Sequence, residues 1–117
     1  MTYTFEILRI VTEKQTAESD EVVQHIKYSI HGTNDASPAE TAFYSDFLML
    51  NNSSPQVLWS DSMTESEAIA MVRQKYDNDE TFRTLVNDSI NSSIAANRPI
   101  VRVIGEESFP WNNNSPQ

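Results

Sequence analysis

The stretch Val22-Val23-Gln24-His25-Ile26-Lys27-Tyr28-Ser29-Ile30-His31 decides the fold class. Val22, Gln24, Ile26, Tyr28 and Ile30 fall on one side of an extended chain, and Val23, His25, Lys27, Ser29 and His31 on the other. That period of two is what a strand with one buried face requires. The stretch runs into Gly32-Thr33-Asn34-Asp35-Ala36-Ser37-Pro38, where turn-forming residues gather and Pro withdraws a ladder donor. Upstream, Tyr3, Phe5 and Ile7 alternate with Thr4 and Glu6, so a first strand is expected. The alternation fails at Leu8-Arg9-Ile10-Val11, which predicts a bulge or a change of face. Residues 13–21 are polar and acidic, as in a solvent loop. Downstream, residues 41–50 carry Phe43, Tyr44, Phe47 and Leu48 as a third strand, closed by Asn51-Asn52-Ser53-Ser54-Pro55.

Beyond a short apolar run, Val57-Leu58-Trp59, which reads as a fourth strand or a loop plug, the period changes. Thr64-Glu65-Ser66-Glu67 has the form of a capping box, in which a hydroxyl caps the N3 amide and Glu67 reaches back. Ile69, Val72 and Tyr76 follow at helical spacing. Asp77-Asn78-Asp79-Glu80 breaks that helix and opens a second, whose acidic start suits the helix dipole. Phe82, Leu85, Val86, Ile90 and Ile94 form its apolar stripe down to Asn97-Arg98-Pro99. The β-branched run Ile100-Val101-Arg102-Val103-Ile104 predicts a late strand beside an earlier one. The expectation is an α+β fold: a small, mainly antiparallel sheet of three to five strands, covered on one face by a two-helix hairpin. It forms a single domain over residues 1–111, and residues 112–117 make a polar C-terminal tail.

Composition closes off much chemistry. The chain has 117 residues, a formal charge of −9, two glycines and no cysteine. Disulfides, thiol nucleophiles and cysteine-based metal sites are excluded. Two glycines cannot build a phosphate-cradling loop. The acid excess argues against direct nucleic-acid binding, which needs clustered Lys and Arg. Residues 1–50 carry −5 and residues 51–117 carry −4, so the acids form no stripe in the sequence. The N-terminus lacks a basic, apolar signal-peptide pattern, and no apolar run approaches the ~20 residues of a membrane span. A protein not secreted by a signal peptide, with no membrane association, is expected.

Thr64-Glu65 leading a helix that carries Ile69 and Val72, a β-rich first half, and Pro110-Trp111 near the end form a combination. In it the chain resembles a group of short, functionally uncharacterised proteins encoded by tailed bacteriophages. The resemblance implies a virion or host-cytoplasm setting and carries over no catalytic residue.

His25 and His31 are the available neutral-pH bases. Six residues apart on one strand, they are separated by ~20 Å, too far to share a metal ion or a substrate atom. Asp77-x-Asp79-Glu80 fails as a calcium loop: the sixth and twelfth positions hold Phe82 and Asp88 where Gly and Glu are needed. No catalytic residue, metal site or cofactor is expected. Large apolar groups outside the periodic elements matter more. Trp59 sits in a Ser/Asp-rich connection, and Phe109, Pro110 and Trp111 sit in a polar tail. Each is either an anchor pinning the chain to its own core or an interface anchor for a partner. The expected function is a non-enzymatic structural or interaction protein, a virion component or assembly accessory acting through a protein partner or a homo-oligomer. The alternative is a small acidic inhibitor of a host protein, working by nucleic-acid mimicry.

Overall fold

The computed structural model describes residues 1–100 and 102–113. Three strands, β1 (Thr2–Glu13), β2 (Val22–Thr33) and β3 (Thr41–Met49), precede helices α1 (Glu65–Asn78) and α2 (Glu80–Ala96). A short 3-10 turn (Glu106–Ser108) and a four-residue helix, α3 (Pro110–Asn113), follow. The sheet is antiparallel in the order β1-β2-β3, so β2 is central and both neighbours are edges. The α+β expectation holds, with the sheet at the lower end of the expected strand number.

The register explains the faces. Ile26 pairs with Leu48, Tyr28 with Asp46, Ile30 with Tyr44 and Gly32 with Ala42, which puts these residues on one side of the sheet. On that side Ile26, Tyr28 and Ile30 pack with Val72 of α1 and with Phe82, Val86, Ile90 and Ile94 of α2 to form the core. Tyr3 and Phe5 bring β1 against Tyr76 of α1, and Tyr28 and Tyr44 meet Phe82 edge-on. Helix α1 thus lies over β1, and α2 over β3. The expected bulge is present: the register of β1 shifts between Ile7 and Arg9, with Leu8 the extra residue, and again between Val11 and Thr12. Val23, which strict alternation puts on the outer face, is fully buried. It lies opposite the second shift, where its N–H donates to the Val57 carbonyl.

The caps form at the expected residues, with Glu67 reaching back to the Thr64 hydroxyl rather than to its backbone N–H. The Glu67 N–H donates to Thr64 Oγ1, whose hydroxyl donates in turn to Glu67 Oε1. Asp79 ends α1 and starts α2, its carboxylate accepting from the Phe82 N–H at 3.0 Å. One residue therefore makes the hairpin turn. Gly32 is required by close approach: a Cβ there would stand 2.6 Å from Ile90 Cγ2.

Two expectations are corrected. Leu85, placed in the apolar stripe of α2, is 53% exposed. The buried set repeats every four residues (Phe82, Val86, Ile90, Ile94), and Leu85 falls outside that stripe, among Thr81, Thr84, Asp88 and Ser89 of the same helix. The late strand expected over residues 100–104 does not form among the described residues: Ile100, Arg102, Val103 and Ile104 pair with no strand. A β-branched run becomes a strand only when an edge receives it. Val101 lies outside the described residues, as do residues 114–117 of the polar tail.

Candidate interaction surfaces

The four aromatic and proline anchors separate into two places. Trp59 rests against the body's own core, and its indole N–H donates to Asp61 Oδ1 at 2.9 Å. Its backbone N–H donates to the Glu21 carbonyl, and Leu58 forms a single bridge with Val22. Residues 57–59 are thus neither a full strand nor a free loop; they strap the start of β2. Phe109, Pro110 and Trp111 are elsewhere. Pro110 opens α3, as its fixed φ and missing N–H allow. Phe109 and Trp111 stack on each other across it, ring centroids 4.5 Å apart and nearly parallel. Trp111 remains 68% exposed.

The segment leading to that stack is the most apolar exposed part of the described chain. Ile100 is 98% exposed and Val103 is 90% exposed. Single exposed apolar residues need no explanation, but Ile100 and Val103 at this exposure, with Ile104 half-exposed beside them, do. Its departure point is fixed. Arg98 grips Glu40 with two hydrogen bonds, Nε to Oε2 at 2.5 Å and Nη2 to Oε1 at 3.1 Å, while Asn34 donates to the same carboxylate at 2.8 Å. These bonds hold the Glu40 carboxyl below its ordinary value, the Arg98 contact contributing most and Asn34 next. Glu40 immediately precedes β3, so the arm leaves the body beside the first residue of that edge strand. Pro99 follows at once.

A second surface is the sheet face opposite the helices. His31 pairs with Phe43, Lys27 with Phe47 and His25 with Met49, and Arg9 of β1 pairs with Lys27. Phe47 collects three of these groups: the edge of His25 at 5.1 Å, Lys27 Nζ at 5.7 Å and the Arg9 guanidinium at 5.9 Å. His31 sits 3.2 Å from Glu6 and tilts against Phe43, itself 63% exposed. In a chain of charge −9, cations and aromatic rings gather on this one face. The two histidines share it, as their spacing predicts, and each has its own neighbours. Among the described residues no three His, Asp or Glu side chains converge as metal ligands, and no helix is long and apolar enough to cross a membrane.

The edges themselves differ. In β1 the two register shifts break up the template that an added strand would need. In β3 nine consecutive residues pair with β2 without interruption; among the described residues no strand pairs with the outer side, where the Phe47 N–H donates to Asp46 Oδ1 at 2.8 Å. Sequence reasoning singled out Trp59, Phe109, Pro110 and Trp111 but not this edge. Residues 41–49 contain no Pro, no Lys and no Gly, and the guard of this edge is Asp46, an inward-facing charge whose carboxylate also takes the Phe47 N–H. Comparison with protein-family models, with curated proteins and with solved structures finds no match, so the geometry carries the functional reading by itself.

Proposed function

We propose that the chain is a non-enzymatic interaction protein whose C-terminal arm, residues 99–111, makes its contacts. In the setting that the bacteriophage resemblance implies, it is a virion component or assembly accessory. The observation that carries this reading is the exposure of Ile100, Val103 and Trp111 on a segment that leaves a well-packed body. Aromatic residues held in a fixed arrangement are strong interface anchors, because little rotamer freedom is lost when a partner covers them. Stacking against Phe109 already restricts Trp111. The Arg98–Glu40 pair and Pro99 set the direction in which the arm is presented, reducing the ordering cost of binding.

The test is site-specific photo-crosslinking in the native setting, with the probe at position 103 or 111 and a control probe in the acidic loop at Glu18. Defined protein adducts from positions 103 and 111, absent from position 18, are expected. Adducts from the control position alone would show that the arm is not the contacting element.

A further inference from the structure

The outer sheet face and the end of the arm are complementary in charge and in ring chemistry. We infer that the acidic, aromatic segment over residues 106–111 of one copy docks on the outer sheet face of a second copy of the chain. This rests on the reading of the arm as the contacting element and names what it contacts.

The receiving face has two unlike ends. At one, Arg9 of β1 and Lys27 of β2 lie over the Phe47 ring, and Met49, two residues on, is 59% exposed. The ion pairs among the described residues engage neither cation. At the other end Phe43 is 63% exposed, and Glu6, a carboxylate on this face, is already paired with His31. Exposed rings call for apolar cover, and unpaired cations call for carboxylates. One anionic, aromatic ligand supplies both.

That chemistry is carried on the same chain. Glu106 and Glu107 lie in the 3-10 turn, and Phe109 and Trp111 follow as a stack in which Trp111 is 68% exposed. Carboxylates ahead of an aromatic pair match cations ahead of an exposed ring. The spacing agrees as well. Phe43 and Phe47 stand four residues apart on β3, ~13 Å along the strand. Glu107 and Trp111 are also four residues apart, and a connection of mixed helical and extended backbone covers roughly 6–13 Å. Glu107 therefore reaches Lys27 and Arg9 while Trp111 lies on Phe43. Glu6 sets the direction, because the reversed pose brings Glu107 against it.

A single-stranded nucleic acid, the other anionic ligand of aromatic sheet faces, fits less well. Its bases stack on open rings, and Arg9 and Lys27 already lie over Phe47. Two permanent cations also neutralise few phosphates on a chain of charge −9. Donor and acceptor are different surfaces of one chain, so copies either exchange segments reciprocally or join head to tail.

The experiment measures mass in solution by light scattering after size exclusion, from micromolar to hundreds of micromolar chain. The full chain is expected at two or more multiples of 13.3 kDa. Lys27→Glu and Glu107→Lys each set like charges against one another. Each is expected to weaken association by about tenfold or more, with an unchanged circular dichroism spectrum. Trp111→Ala, at an exposed residue, gives the same loss by removing the anchor. Mixed in equal amounts, the two charge variants offer each other opposite charges in both directions, so association is expected to return. Recovery of that kind cannot come from a segment folded onto its own sheet. A monomeric full chain overturns the inference, including the cases in which position 111 cross-links beside Phe43 of its own molecule or the face binds oligothymidylate. An oligomer that neither charge reversal weakens overturns it equally, and so does mixing without recovery. A monomeric full chain whose position 111 still cross-links to a different protein sinks the self-docking alone and leaves the arm's role as a contact element standing.

Discussion

Gly32→Ala tests how closely α2 is seated on the sheet. The added Cβ would lie 2.6 Å from Ile90 Cγ2, 3.1 Å from Met1 Sδ and 3.2 Å from Tyr3 Cε1. The Met1 thioether swings aside easily. The Ile90 methyl cannot, because it is attached to the β-carbon of a fully buried helical residue. Carbon atoms rest about 3.5–4.0 Å apart, so α2 and β2 must separate locally by about 1 Å. Overpacking of this kind costs about 1–3 kcal/mol. Against it stands a gain: Gly32 has no positive φ, so alanine restricts the unfolded chain and returns about 0.5–1 kcal/mol. The contest leaves a net loss of up to about 2.5 kcal/mol, centred on about 1.3 kcal/mol. At roughly 4–8 °C per kcal/mol for a domain near this size, Tm falls by roughly 5–10 °C at the centre of that range and by at most roughly 20 °C, in a thermal melt followed by circular dichroism. Ile90→Leu moves the branch from Cβ to Cγ at nearly constant volume, so the double variant recovers part of the loss, with a coupling of about 0.5–3 kcal/mol. A Gly32→Ala protein as stable as the parent, or more so, would refute the close-approach argument.

Other expectations follow from single contacts. Asp79→Ala removes the cap of α2 and the turn residue of the hairpin together, and chemical denaturation is expected to show a loss of about 0.5–2 kcal/mol; an unchanged midpoint would contradict that role. Glu40 titrates below its ordinary value because Arg98 and Asn34 hold its charged form. Its contribution is therefore complete above the unfolded value of 4.5 and is lost as pH falls below it, through the folded value. Melting curves of the parent and Glu40→Gln should converge over that range, and a constant gap would exclude the linkage. Trp59→Ala should destabilise by about 2–4 kcal/mol, since it uncovers core, whereas Trp111→Ala should leave monomer stability within about 0.5 kcal/mol. Denaturation of both variants decides, and equal losses would contradict the separation of the two tryptophans.

How much of this was legible in the sequence depends on whether a feature is local. The alternation from Val22 to His31 defines the central strand because every second side chain must face the core. The break after Ile7 announces the bulge for the same reason. Thr64 and Asp79 mark the helix starts through their own side chains. Leu85 misled because an i, i+3, i+4 stripe does not say how wide the neighbouring layer is, and here only the i, i+4 row from Phe82 to Ile94 is buried. Residues 100–104 misled in a related way: β-branched residues favour an extended chain, but which edge accepts them is a property of the assembled surface. Trp59 was open between two roles because its Ser- and Asp-rich neighbours conceal the strap that bonds to Glu21 and Val23. The clustering of Arg9, Lys27, His25 and His31 around Phe43 and Phe47 is invisible to a net charge of −9, since a charge count does not know faces.

Photo-crosslinking in the native setting from position 111, compared with position 18, bears most directly on the C-terminal arm as the contacting element. The account predicts defined protein adducts from position 111 and none from position 18. Adducts from position 18 alone would contradict it.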